Sequence, residues 1–449
     1  MVPGESLATS GLNELVIAAA SKLKVDDAVA LSIEGREQMV RFANNSVTVA
    51  NQVQETELTV YLAKDGRRAI AATSNPDEAK VKRFVGDLFA SMKGLPKSEY
   101  VPLPKTAMTY RPVARRYDKR VANLGGKISE LAGTAVDSAR EAGGKRSAGV
   151  IEASTTSFSI LTSSGTKGSD SRTSITLNIR SFSDNDASGH GLSCSSGLSG
   201  FDPAEAGRRA GEAAKMMTHA SEPEAGEYQV LLSPAVASNL IETIASATSA
   251  FAVDAGISYL ADKLGKKVAS ENFSLTDHGY LEGCLGGRGF DDEGTPTRST
   301  PLIKAGALES YIHNLTTAAK WKTQSTGNAG LIQPHPWNIE VGAGDSSYDE
   351  MFSAMTKGIV LTSNWYTRFN NYRTGEFSTV PRDGAYLVEN GNVVKPLKGM
   401  RLGDALERMF SSVRLLSRDR EWVEWWEVST PTLCPWILVD GAKITRAYD

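Results

Sequence analysis

The residues able to do chemistry in this chain fit no catalytic template. The five histidines, His190, His219, His278, His313 and His335, are followed by Gly, Ala, Gly, Asn and Pro. None therefore begins an HE pair, and no HExxH, GxSxG or GxxxxGK[ST] pattern occurs. The glycine-dense run GCLGGRG (283–289) does not have the GxGxxG spacing of a phosphate loop between strand and helix. Asp277 and His278 are neighbours, but adjacent residues on a strand face opposite ways, which argues against an acid–base pair. Two groupings are denser. Arg288, Asp291, Asp292 and Glu293 lead into Gly294, a pattern that a hairpin turn explains and a peptide cleft would also use. Asn364, Trp365, Tyr366, Arg368 and Arg373 place amide, aromatic and guanidinium groups within ten residues, the mixture that holds a peptide backbone or a partner subunit. Arg288, Asp291, Glu293 and these five residues are the candidates for a substrate cleft or an interface. Trp422, Trp425 and Trp426, in REWVEWWEV, suit a core or an interface anchor equally.

Periodic segments predict the elements that must position these groups. Leu12, Leu15, Val16, Ala19, Ala20 and Leu23 share one helical face, with Ser10 as a candidate N-cap. Val81 to Met92 and Ile128 to Ala139 repeat the pattern, and Asp202-Pro203 opens a helix running towards His219. Leu58, Val60 and Leu62 alternate as in a strand, with Lys64–Gly66 as the turn; Ile175, Leu177 and Ile179 alternate likewise. The proline-rich stretch 94–116 reads as a linker or a long surface connection, and the Ser/Gly/Asp-rich stretch 181–200 as a turn-rich hairpin or flexible loop. Ser233 and Pro234 are a good N-cap and first helical residue for a helix over 233–247. Beyond Phe251 the chain reads mostly as β, with an amphipathic helix near 403–415. The expectation is an α+β protein of two domains: residues 1–224, mixing helices and a sheet, and residues 225–449, mainly antiparallel β with a few helices.

Bulk properties narrow the function classes. The 449 residues are too many for one core, and 41% apolar with 22% charged residues is ordinary for a globular protein. With 49 basic and 52 acidic residues the net charge is -3, which gives no electrostatic case for nucleic-acid binding. The three cysteines, Cys194, Cys284 and Cys434, form no CxxC pair. No stretch approaches the roughly 20 apolar residues that span a bilayer, and the first residues, MVPGESLATSG, lack a basic and apolar leader. A reducing cytoplasm fits these features.

An ordered set of segments resembles the TldD/PmbA family: VRFANNSVTVANQVQETELTVYLAKDGRRAIAATSN (40–75), SPAVASNLIETIASA (233–247), RGFDDEGTPTRSTPLIKAGALESYIHN (288–314), STGNAG (325–330), SNWYTRFNNYRTGEFS (363–378) and STPTLCPWILVDGAKI (429–444). The resemblance implies two kinds of paralogous subunit, one carrying a zinc motif HExxxH on the helix after the first strand of the C-terminal domain, the other, PmbA- or TldE-like, lacking it. NWYTRFNNYRTG resembles the second kind. On that helix Ile241 stands at the first histidine, Glu242 at the glutamate and Ser246 at the second histidine. Isoleucine has no lone pair and serine does not replace a histidine ligand at neutral pH, so two expected ligands are missing. No catalytic residue and no metal ligand is expected here; zinc is expected in an HExxxH-bearing TldD-like partner. The resemblance further implies a metalloprotease complex that degrades or trims unfolded peptides, in which this subunit supplies cavity walls and holds substrate. A homodimeric peptide-binding scaffold without proteolytic activity is the alternative, and modulation of DNA gyrase is an older label attached to the family.

Overall fold

The computed structural model describes residues 7–110, 113–184 and 187–446. The leader reading rests on residues 1–6, outside the described residues, and so do two residues of the 94–116 stretch. Among the described residues the chain forms two sheets. The first half contains α1 (Leu7–Lys22), β1 (Asp27–Ala43), β2 (Ser46–Lys64), β3 (Arg67–Ser74), α2 (Glu78–Ser91), α3 (Lys119–Ala122), α4 (Lys127–Glu141), β4 (Arg146–Thr162), β5 (Lys167–Phe182), β6 (Ser188–Ser195) and α5 (Pro203–Met216). Its six strands are antiparallel in the order β3-β2-β1-β4-β5-β6.

The second half contains β7 (Gly226–Leu232), α6 (Pro234–Ala247), α7 (Ala250–Asp254), β8 (Leu275–His278), β9 (Ser299–Lys304), β10 (Ala307–Leu308), α8 (Leu315–Lys320), β11 (Ile339–Val341), α9 (Tyr348–Ser353), β12 (Lys357–Leu361), β13 (Asn364–Asn371), β14 (Glu376–Pro381), β15 (Ala385–Glu389), β16 (Asn392–Pro396), β17 (Met400–Ala405), α10 (Leu406–Ser411), β18 (Val413–Trp425) and β19 (Val428–Arg446). Its thirteen strands run β10-β9-β8-β11-β19-β7-β12-β15-β16, with β13, β14, β17 and β18 attached through β19. Most pairs are antiparallel; β11–β19 and β7–β12 are parallel. The molecule is α+β, as expected.

The helical stripes pack as their spacing predicts. Val16 and Ala20 of α1 join Val81, Val85 and Leu88 of α2 over Leu58, Val60 and Leu62. Ile128, Ala132, Ala135 and Ala139 of α4 cover Ile151, Ile175, Leu177 and Ile179. Two local expectations are corrected. Ser10 lies inside α1 rather than capping it. Of 403–415, 406–411 alone is helical, because Gly403 and Val413 are held in strands paired to β14 and β19. The Ser/Gly/Asp-rich stretch 181–200 forms the hairpin that was one of its two readings: β6 pairs antiparallel with the end of β5. A Cβ on Gly191 would come within 1.9 Å of the Ala206 carbonyl oxygen, so glycine there lets α5 lie directly on the strand. The 94–116 stretch contains no β-strand or α-helix among its described residues, yet it is packed: Leu103 and Arg116 are buried and Tyr110 meets Phe290 at 4.9 Å.

One face of the first sheet carries these helices; the other faces the second half. The outer end of the β1–β2 hairpin extends beyond this contact. β3 pairs with β2 over 57–64, which leaves the edge of β2 at 46–56 open, with Val47, Val49 and Val53 exposed.

Candidate functional site

α6 is capped by Ser233, whose hydroxyl accepts from Val236 N, and begins with Pro234. Ile241 is fully buried in the main core of the second half. Glu242 accepts from Ser429 Oγ and Thr430 N, both at 2.7 Å. Ser246 is exposed and borders a cavity of about 220 Å³ with Thr243, Tyr259, His335, Phe369 and Tyr372. Positions five apart on a helix sit about 140° apart around its axis, which is why one residue faces the core and the other the cavity. A zinc site does not fit here: Ile241 offers hydrocarbon, Glu242 is spent on β19, and Ser246 offers a neutral hydroxyl. Among the described residues no three His, Cys, Asp or Glu side chains could together hold a metal ion.

A groove of about 740 Å³ lies between the two halves. Leu31, Ile33 and Thr59 of the first sheet form one wall; Arg288, Trp337 and Thr430 belong to the other. The two cavities share Gln333, His335 and Pro336, so the segment after α8 borders both. Arg172 and Glu424 also line the groove.

The charges of this groove are assembled from distant strands. Arg288 pairs with Asp292, donates to Phe290 O, and lies over the rings of Phe158, Phe290 and Trp337 at 5.2 Å each. Arg172 lies over Phe158 at 5.1 Å and donates to Gly287 O. Arg116 pairs with Asp170 at 3.4 Å, and Asp170 also accepts from Gly289 N. Burial pulls Arg288 down to about 10 and pushes the Glu424 carboxyl up. Glu424 Oε2, and Nε and Nη2 of Arg116, are buried without a hydrogen-bond partner among the described residues.

Asp291 accepts from the backbone N–H groups of Glu293, Thr295 and Ala329. That is the turn its spacing suggested, and it also ties the turn to the 325–330 segment. Glu293 accepts from Leu315 N at the start of α8. Burial raises both carboxyl groups, and the neighbouring Asp291 raises Glu293 further. The three donors on Asp291 favour its charged form, so Glu293 is the more strongly raised of the two.

The 364–373 segment divides. Asn364 is buried, donating to Asn239 of α6 and to Thr379 at 3.0 Å each. Trp365 packs on Trp425 and Trp426 at 5.4 and 5.1 Å, with the Arg180 guanidinium over it at 5.3 Å. Tyr366 adopts φ +56° with its N–H on Glu427; it is exposed beside Trp426. Arg368 and Arg373 are exposed. Of the three tryptophans left open between core and interface, Trp425 is buried, Trp426 is 59% exposed, and the Trp422 carbonyl accepts from Cys194 Sγ. The groove residues Phe158, Arg172, His335 and Trp337 carry no local motif; Glu424 alone stood beside a feature already singled out, REWVEWWEV.

The architecture and this groove belong to a class of metallopeptidase-like chains. Residues 28–91, 107–218 and 225–446 match domain 1, the central domain and the C-terminal domain of the PmbA/TldA metallopeptidases, and the chain belongs to the PmbA/TldD family. It is 33% identical to a metalloprotease of Methanocaldococcus jannaschii over 44% of each chain. Buchnera aphidicola has both a TldD homologue, 32% identical over 34% of this chain and 33% of that one, and a PmbA homologue, 26% identical over 42% and 41%. The chain thus spans under half the length of each relative. The fold matches a Thermotoga maritima protein named as a modulator of DNA gyrase (TM-score 0.86, 24% identity, 97% of this chain and 100% of that one). It equally matches TldE from Thermococcus kodakarensis (TM-score 0.85, 20% identity, 97% and 100%). No described helix is long and apolar enough to cross a membrane.

Proposed function

We propose that this chain is the subunit without metal ligands in a cytoplasmic PmbA/TldD-type metalloprotease complex, and that it walls the cleft and holds unfolded peptide for a partner bearing HExxxH. The observation that carries this reading is the groove between the two halves: α6 meets its wall through Glu242, which holds Ser429 and Thr430, and this helix bears Ile241 and Ser246 where metal ligands would be expected. Zinc in the partner would supply the activated water; the work of this chain is binding. Arg172 and Arg288 offer guanidinium donors to peptide carbonyls, and Glu424 offers an acceptor to a peptide N–H. The open edge of β2 at 46–56 offers main-chain pairing that reads extension rather than sequence. The Buchnera pair of homologues supports the expectation of two kinds of subunit.

Co-expression of this chain with an HExxxH-bearing paralogue tests the proposal. A stable heteromer that cleaves unfolded peptides is expected, with neither subunit active by itself and with Glu242→Gln in this chain leaving turnover intact. Failure to associate, or full activity of the zinc subunit by itself, rejects it in favour of the homodimeric scaffold.

A further inference from the structure

A further cavity lies along β9. It has a volume of about 500 Å³ and is lined by Arg298, Ser299, Tyr311, His313 and Trp321, among others. Ser299 is exposed in it. The serine is not isolated. Its Oγ lies 2.7 Å from His278 Nδ1, His278 Nε2 lies 2.7 Å from Glu340 Oε2, and Glu340 Oε1 accepts from Arg420 Nη1 at 2.6 Å.

The sheet register produces this row. His278 on β8 stands directly opposite Ser299 on β9, and Glu340 on β11 stands opposite Thr276, two residues from His278 on the same face of β8. Asp277, on the opposite face, is occupied elsewhere: it accepts from Trp337 N at 2.6 Å, Asn338 N at 3.2 Å and Asn328 Nδ2 at 2.6 Å. The partner of the histidine is therefore a serine from the next strand, and its orienting carboxylate comes from the strand beyond. His278 and Glu340 are largely shielded, with side-chain exposures of 11% and 26%, while the serine remains open to the cavity. This is the nucleophile–base–carboxylate logic of acyl transfer.

We propose that Ser299, His278 and Glu340 form a metal-independent acyl-transfer site that takes small carboxylic esters. Ser299 Oγ attacks the ester carbonyl carbon while its proton passes to His278 Nδ1. The tetrahedral intermediate collapses with cleavage of the C–O bond, and His278 returns that proton to the departing alcohol. Water, deprotonated by His278, then attacks the acyl-serine, releasing the acid and restoring Ser299. Glu340 is a positioning residue: it fixes the imidazole ring and balances the imidazolium that forms. Arg298 is the cation available to the developing oxyanion, since its guanidinium has no hydrogen bond or ion pair among the described residues.

The test is covalent labelling of the purified full-length chain with an alkyl fluorophosphonate in the presence of a metal chelator, with the site read by peptide mapping. Labelling of Ser299 is expected, abolished in Ser299→Ala and slowed about 10²–10⁴-fold in His278→Ala, the usual contribution of a general base. Glu340→Gln should lower the limiting labelling rate and leave the half-saturating concentration of reagent unchanged, a split that loss of packing would not give. Circular dichroism and melting temperature establish that each variant is folded. A folded wild-type chain that is not labelled at Ser299, or labelling that His278→Ala leaves unchanged, overturns the proposal.

Discussion

Glu242 ties two elements of the second half together. Its carboxylate holds Ser429 and Thr430, joining α6 to the start of β19. Glu242→Ala should therefore cost ~1.5–3 kcal/mol, the usual range for a hydrogen bond to a charged group, and Glu242→Gln less; urea unfolding of the two variants measures both. Glu293 gives a pH test. Its folded value is raised by burial and by Asp291, so its contribution is fully present below the ordinary glutamate value of about 4.3 and is lost as pH rises above it. Melting temperature should fall from pH 5 towards pH 8, and Glu293→Gln, which keeps an acceptor for Leu315 N, should flatten that fall.

Among the elements, the contact of β5 and β6 with β13 and β18 joins the two halves through an aromatic cluster. Trp425 is buried between His190 at 4.7 Å and Trp365 at 5.4 Å. Trp425→Ala should cost roughly 3–5 kcal/mol, as large-to-small changes in a core do, and denaturant midpoints would register it. His190 is neutral here, between Ser363 and Asn178, and burial pulls its pKa from 6.5 down to about 4. A histidine depressed in the fold stabilises fully above its unfolded value and loses that stability as pH falls towards the folded one. Acidification from pH 7 to pH 4 should weaken the fold by up to roughly 3 kcal/mol through this group, and His190→Gln should show a smaller drop in the urea midpoint between those pH values.

For the whole molecule, the proposed assembly predicts a composition and a mass. The purified chain should hold no stoichiometric zinc by elemental analysis, because α6 offers Ile241 and Ser246 at the metal positions. Light scattering should report a heteromer once the HExxxH paralogue is added. An obligate interface of this kind buries over ~2,000 Å² and is rich in aromatic groups; exposed Trp426 and Tyr366 are candidates for it.

What could be read from the sequence follows from the range of the forces involved. Helices α1, α2, α4, α5 and α6 were legible because a stripe at 3.6-residue spacing and a cap act within a turn or two. The donors that α6 offers at positions 241 and 246 were legible because side-chain identity alone decides them. The turn at Asp291 was legible too, being closed by donors within four residues. By contrast, Arg172 meets Gly287 across 115 residues, and His278 meets Glu340 across 62. Such meetings depend on which strands pair and in which register, and a shift of one residue would turn His278 away from both Ser299 and Glu340. Local periodicity therefore determined the elements, and residue identity the donors that α6 offers. Strand order and register, which are fixed when the sheets assemble, decided which charges line the groove and which serine faces which histidine.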